Sequence, residues 1–328
     1  MYIVTGGAGF IGSAMLWKLN SLGIADILVV DHLGSSEKWN NLVNRRYTEY
    51  LPREVFLERI CRDALRGPVE GIFHLGACSD TTERDVDFLF RNNYEYTRSL
   101  VRYALDKGIR LINASSAATY GNGDAGFDDA PEKLETLRPL NAYGYTKHLL
   151  DLWAGREGFQ DHFVSLKFFN VYGPNEYHKG EMRSVVVKAY RQALETGRIR
   201  LFASDRPEYP DGGQMRDFVY VKDCAEIMWW LMRHREVRGL FNLGTGRART
   251  WTDLAGALFA AMKREENIEY IPLPEHLRGK YQYFTEASTA GLAATGCPLP
   301  QWSLEQGVAD YVAGYLSRRD PYLEPAGR

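Results

Sequence analysis

The 328-residue chain is predicted to adopt a doubly wound α/β fold: a parallel sheet with helices on both faces, plus a smaller C-terminal lobe. Three observations lead there. Short apolar runs alternate with helix-length stretches through the first half of the chain. A glycine-rich turn joins the first run to the first helical stretch. The connections are short, which in such an alternation means right-handed crossovers between parallel strands.

In chain order, "YIVTG" reads as a strand, Phe10 to Leu22 as a helix, and "DILVVD" and "EGIFHLG" as strands. Val86 to Asp106 reads as a long helix and "RLINAS" as the next strand. A helix from about Tyr143 and a strand in "FVSLKFFN" continue the series. Beyond Gly173 and Pro174 the loops lengthen, aromatics become more frequent and the alternation fades, as expected of a substrate lobe. "RDFVYVKD" and "GLFNLGTG" read as strands returning to the first domain. The expected division is a first domain of 1–171, rejoined by 217–246, and a lobe of 172–216 and 247–328.

Forty basic residues nearly cancel 42 acidic ones, and no long run of either sign occurs. That argues against a nucleic-acid-binding stripe and an acidic tail, and leaves a small molecule as the expected partner. Cys61, Cys78, Cys224 and Cys297 are scattered without a Cys-x-x-Cys spacing, so they are expected to be reduced, buried and inert. His74 near Cys78 is the one hint of a ligand pair, too few groups for a metal, and none is expected. "MYIVTGG" enters a strand with no basic leader, and no apolar run approaches the ~20 residues of a membrane span, so a soluble, cytoplasmic protein is expected. The polar stretches 121–139 and 203–216 read as connections over a site, and the tail "SRRDPYLEPAGR" as a segment without readable function, loose at its end.

The turn "TGGAGFIG", residues 5–12, spaces Gly6, Gly9 and Gly12 as Gly-x-x-Gly-x-x-Gly, and Gly7, Gly9 and Gly12 also meet the dinucleotide fingerprint. Such glycines serve a tight turn, close approach of backbone to a pyrophosphate, and close helix-to-strand packing, with the pyrophosphate on free N–H groups at the helix start. Asp31 ends the second strand nineteen residues beyond Gly12, where a carboxylate suits a ribose 2′-hydroxyl and favours NAD. Lys38 and Arg53 follow, and cations suit the 2′-phosphate of NADP. These residues alone leave the choice of cofactor open.

"NAYGYTK", residues 141–147, holds a second candidate. At about 100° per residue, Tyr143 and Lys147 share one helical face and Tyr145 points away. A phenol, with an ordinary pKa near 10, needs help to act as a base near neutrality, and a lysine charge and an oxidised nicotinamide beside it would both favour phenolate. Tyr-x-x-x-Lys alone is common, so its meaning depends on company.

With the glycine turn, "SSAATYG" at 115–121 and "YGYTK" at 143–147, the chain resembles the extended short-chain dehydrogenase/reductases that act on nucleotide sugars, over essentially its whole length. "IFHLGACSDTTE", "FFNVYGPNEYHKG", "FNLGTGRA" and "IEYIPLPEHLRGKYQ" narrow the resemblance to their branch that epimerises an ADP-linked heptose for the inner core of lipopolysaccharide. The resemblance implies that Ser116 hydrogen-bonds the reacting oxygen, Tyr143 is an acid/base, and Lys147 binds the nicotinamide ribose. It implies Lys179, otherwise readable as a solvated loop lysine, as the opposed acid/base about C6. The 6-keto sugar formed on oxidation would rotate about C5–C6 and be reduced on its other face. Gly6, Gly9, Phe10, Ile11, Gly12, Asp31, His32, Lys38, Arg53, Leu75, Gly76, Ala77, Cys78, Ser79, Asn92, Lys147 and Val171 should line the cofactor, with NADP preferred. Ser116, Asn170, Glu181, Lys188, Phe202, Ala203, Ser204, Asp205, Arg216 and Tyr281 should meet the ADP-sugar. A homo-oligomer, with a pentamer as one option, is also implied. The stretch "NGDAGFDDAPEKLETLRP" is a few residues longer than the resemblance leads one to expect.

Three rivals share parts of this pattern. A 4,6-dehydratase places titratable residues directly after the serine, where this chain has Ala117 and Ala118. A UDP-hexose 4-epimerase differs in substrate and in whether Lys179 matters. A dinucleotide-sensing module without chemistry has no need for Ser116, Tyr143 and Lys147 together.

Overall fold

A computed structural model describes residues 1–275, 278 and 281–325. Twelve strands are formed among the described residues: β1 (Tyr2–Thr5), β2 (Ile27–Asp31), β3 (Glu49–Pro52), β4 (Gly71–His74), β5 (Arg110–Ser116), β6 (Val164–Phe168), β7 (Asn170–Tyr172), β8 (Ile199–Phe202), β9 (Met215–Tyr220), β10 (Gly239–Leu243), β11 (Ala248–Thr250) and β12 (Ile268–Ile271). Seven of them make one sheet in the order β10-β6-β5-β4-β1-β2-β3, every neighbouring pair parallel. β1, β2, β4 and β6 are buried along their whole length, which is why β1, β2 and β4 read as apolar runs without alternation, while Ser165 and Lys167 interrupt β6. The chain winds outward from β1 to β3 and then in the other direction through β4, β5 and β6. The switch between β1 and β4 opens a crevice at their carboxyl ends, where such sheets bind ligands.

One face of the sheet packs on helices Phe10–Ser21 and Val221–Arg233 through a core that includes Met15, Leu19, Phe73, Ile227 and Met228. The other face packs on Arg53–Cys61, Tyr96–Asp106 and Ala142–Arg156 through Ile3, Phe56, Leu100 and Trp153. The predicted helix over 86–106 is one helical run loosened by a wide turn at Phe90–Glu95 and started by Asp85, whose carboxylate accepts from Phe88 N at 2.8 Å. Among the described residues no helix is long and apolar enough to cross a membrane.

The smaller lobe contains a three-stranded sheet, β11-β9-β7, and a pair, β12-β8. Of the two segments read as returning, Gly239–Leu243 lies beside β6 in the large sheet, while Met215–Tyr220 lies between β7 and β11. The 121–139 stretch folds onto the large domain: Phe127 meets Tyr120 and Phe169 edge-on, and Asp129 accepts from Asn242 N at 2.6 Å.

One expectation needs correcting. Only Cys224 and Cys297 are buried; Cys61 is exposed on the outer face of its helix, and Cys78 is half-buried. The C-terminal segment is tied down up to the last described residues, with Leu323 wholly buried, because it supplies an apolar side chain and several backbone partners to the body of the protein. Residues 326–328, on which looseness was expected, lie outside the described residues.

Candidate active site

The glycine turn brings β1 and β4 into contact at the mouth of the crevice. Gly6 has φ +67°, and a Cβ there would lie 2.6 Å from Gly76 Cα. A Cβ on Gly12 would lie 2.0 Å from Gly6 O, so the helix from Phe10 packs against the turn only without a side chain. This cradle faces a cleft of about 520 Å³ lined by Gly6, Gly9, Phe10, Ile11, Gly12, Asp31, Lys38, Leu75, Gly76, Ala77, Cys78, Ser79, Lys147 and Val171. A recess of about 350 Å³ shares Gly6, Asp31, Lys38 and Gly76–Cys78 with it and adds His32, Arg53 and Asn92. Every residue expected to line the cofactor therefore falls on one of two adjoining hollows. Side-chain-free backbone at the helix start and a cation pair at the far end fit a dinucleotide.

The Asp31 carboxylate accepts from Ala8 N at 2.8 Å, from His32 N at 2.7 Å and from Lys38 Nζ at 2.7 Å. Arg53 pairs with Glu54 at 2.6 Å on the recess wall. Asp31 is thus neutralised by Lys38, with a second cation in the same recess.

Ser116 closes β5, and its hydroxyl accepts from Ala118 N at 3.1 Å. Across from it, Asn141 caps helix Ala142–Arg156 by accepting from Gly144 N at 2.8 Å, which fixes the first turn and aims Tyr143 and Lys147 into the cleft. Tyr145 is 48% exposed on the opposite side. Lys147 Nζ donates to Ala114 O at 2.7 Å, and burial lowers its pKa to about 8 against the pull of Asp151. Burial raises the Tyr143 phenol, with Ser116 opposing the rise. The Lys147 ammonium is engaged with Ala114 O, and burial is the largest influence on the Tyr143 phenol.

Beneath this pair lies a polar cluster that the sequence reading missed. Asp151, one turn after Lys147, accepts from Ser115 Oγ at 2.9 Å and lies 3.6 Å from Lys167 Nζ. Lys167 is wholly buried, donates to Thr119 Oγ1 at 2.9 Å and sits 4.3 Å over the Tyr120 ring. A lone cation in the apolar strand "VSLKF" was the available signal, since a buried charge needs a partner.

Lys179 enters the cleft from the turn Tyr177–Met182, with Nζ 5.7 Å from the Phe10 ring centroid. Burial lowers its pKa and the Glu176 carboxylate raises it. His178 is pushed down to about 4, by burial first and then by Lys179, and its Nδ1 lies 3.3 Å from Asn41 Nδ2. Tyr143, Lys179 and Ser116, distant in sequence, thus line one cleft. Ser36, Asp80, Ser115, Phe168, Phe169 and Met182 line it too, and nothing in the sequence reading singled them out as contacts.

The expected sugar-nucleotide residues, apart from Ser116, do not line this cleft. Arg216 is buried, lies 5.4 Å from the Tyr281 ring and 5.6 Å from the Trp251 ring, and donates to Gln282 O and Met215 O. Phe202 meets Tyr281 edge-on at 6.1 Å, and Asp205 bonds the Tyr283 hydroxyl, so Phe202, Ala203, Ser204, Asp205, Arg216 and Tyr281 gather in one part of the lobe. Glu181 and Lys188 form a separate, exposed pair at 3.1 Å. Asn170 is exposed at the start of β7, with Thr285 Oγ1 3.5 Å away.

The model of the NAD dependent epimerase/dehydratase family matches residues 2–244. An ADP-L-glycero-D-manno-heptose-6-epimerase of Nitratidesulfovibrio vulgaris is 60% identical over 98% of this chain and 100% of its own. One of Fusobacterium nucleatum is 46% identical over 98% of this chain and 100% of its own. The crystal structure of the Helicobacter pylori ADP-L-glycero-D-manno-heptose-6-epimerase superposes with a TM-score of 0.80 at 26% identity, over 95% of each chain. The chain belongs to the NAD dependent epimerase/dehydratase family, in the branch of its ADP-L-glycero-D-manno-heptose-6-epimerase relatives.

Proposed function

We propose that this cleft inverts C6 of ADP-D-glycero-β-D-manno-heptose to give the L-glycero epimer, with a resident NADP and no net redox change. The observation that carries the reading is the convergence of Tyr143 and Lys179, from different segments, on one cleft beside the glycine cradle. A reaction that deprotonates a hydroxyl on one side of a carbon and reprotonates on the other needs two such groups. When bound, the oxidised nicotinamide accepts a hydride from C6 and the reduced form returns it.

Tyr143 and Lys179 take and give the hydroxyl proton, one in each direction of the carbonyl's rotation. Burial lowers Lys179, which lets a lysine exchange a proton nearer neutrality than its usual range. Ser116 holds the reacting oxygen and Lys147 the nicotinamide ribose. Lys38, which neutralises Asp31, and Arg53 favour the 2′-phosphate of NADP. Arg216 meets the pyrophosphate of the sugar nucleotide, Glu181 and Lys188 its rim, and the enzyme works in the cytoplasm as a homo-oligomer. Elimination chemistry is disfavoured because Ala117 and Ala118 follow Ser116.

The test is incubation of the purified protein with ADP-D-glycero-D-manno-heptose, with the product followed by NMR and the cofactor released by denaturation. The expected results are the L-glycero epimer, no net NADPH, and a 2′-phosphate on the released dinucleotide. Turnover of a UDP-hexose with no inversion of the heptose would overturn the reading.

A further inference from the structure

The segment that follows the last helix is bonded to the loop that carries Lys179. Leu323 has no exposed surface, its N–H donates to Asn175 Oδ1 at 3.0 Å, and its carbonyl accepts from Arg45 Nη2 at 2.5 Å. Two residues earlier, Pro321 O accepts from the Tyr177 hydroxyl at 2.7 Å. Glu324 continues the attachment: its carboxylate accepts from Trp17 Nε1 at 3.1 Å and Tyr315 OH at 2.9 Å, and its carbonyl from Arg45 Nη2 at 2.8 Å.

The loop is short and irregular. Tyr177–Met182 is two short 3-10 turns broken by a kink at Gly180, which has φ +54°. At its two ends Lys179 N donates to Glu176 O at 3.1 Å and Arg183 N to Gly180 O at 3.3 Å. Turns of this kind have poorer hydrogen-bond geometry than an α-helix and take their position from what surrounds them. Asn175 is in the left-handed region at φ +78°, and its side chain is shared between Leu323 N and Ser13 Oγ, the latter at 2.9 Å. Glu176 is buried and accepts from Ser184 Oγ at 2.7 Å and from Tyr311 OH at 3.2 Å, the latter on the helix that leads into the tail.

We propose that residues 321–324 are a positioning clasp: by holding Asn175 and Tyr177 they aim the Lys179 ammonium into the cleft, without touching the substrate. The proposal rests on the reading of Lys179 as an acid/base. It gives the C-terminal segment a part in turnover, acting through two loop residues four and two positions before the lysine.

The test compares Leu323→Asp, Leu323→Met and a chain ending at Asp320, with Lys179→Met as reference. Because misplacing a reacting group by about 1 Å can cost about 100-fold, kcat should fall by about tenfold or more in Leu323→Asp and in the shortened chain. Bound dinucleotide and the KM for the ADP-heptose should stay within about threefold, and Leu323→Met should keep kcat within about twofold. Placed on Lys179→Met, Leu323→Asp should cost no more than about a further twofold, since both act through one group. Should the shortened chain not fold, Tyr177→Phe removes the hydroxyl that donates to Pro321 O and should lower kcat by about threefold. Unchanged kcat in Leu323→Asp, a full additional loss on the Lys179→Met background, or parallel loss of bound dinucleotide would each overturn the clasp. Wild-type turnover in Lys179→Met alone would instead overturn the acid/base reading beneath it.

Discussion

The large domain and the small lobe hold their functional groups in different ways. In the large domain many sit at the carboxyl ends of strands: the glycine turn after β1, Asp31 at the end of β2, Leu75 to Ser79 after β4, Ser116 at the end of β5, with Tyr143 and Lys147 on the helix that packs beside them. The parallel ladders set the register of these ends, so their side chains converge without further support. In the lobe, Lys179 rides on a kinked turn, Arg216 is wedged between two aromatic rings, and the stretch Ala203–Asp205 is an irregular loop. Such groups are placed by contacts with distant segments. Damage to the lobe should therefore alter turnover or substrate affinity and spare the cofactor, while damage to the rim should release the cofactor.

The strongest break of this contrast comes from two groups, one from each region, that line the same cleft. Tyr143→Phe and Lys179→Met should each reduce turnover by roughly 10²- to 10⁴-fold with dinucleotide still bound, measured by steady-state assay and by cofactor released on denaturation. Next comes Gly12→Ala: its methyl has Gly6 O in the way, so urea unfolding should show a loss of about 1–3 kcal/mol, together with loss of bound dinucleotide. On the lobe side, Arg216→Lys keeps the charge but loses the planar fork, and should raise the KM for the ADP-sugar roughly tenfold with cofactor content unchanged. The smallest effect is expected of Tyr145→Phe, which changes an exposed side chain and should leave kcat within about twofold.

What could be read from the sequence follows the same division. The first strands and the glycine turn are legible because full burial makes an unbroken apolar run and a tight turn demands glycine. The choice of Tyr143 over Tyr145 followed from helical geometry, and the structure exposes the second. Lys179 could be singled out only by resemblance, because composition and spacing make it an ordinary loop lysine. Lys167 in "VSLKF" signalled a buried charge but not its partner Asp151, and Glu176 beside Lys179 and the attachment of Leu323 to Asn175 were not legible at all. Each joins residues whose proximity is a product of the tertiary fold. The strand Met215–Tyr220 reads like a member of the large sheet because it is as buried as one, yet it pairs within the lobe.

The central claim is that one carbon is oxidised and re-reduced in place by the same hydride. Turnover of ADP-D-glycero-D-manno-heptose in D₂O tests it most directly, with the product examined by proton NMR. The account predicts the L-glycero epimer with protium retained at C6, because the hydrogen never exchanges with solvent. Deuterium at C6 of the inverted product would contradict it, since that requires removal of the hydrogen as a proton.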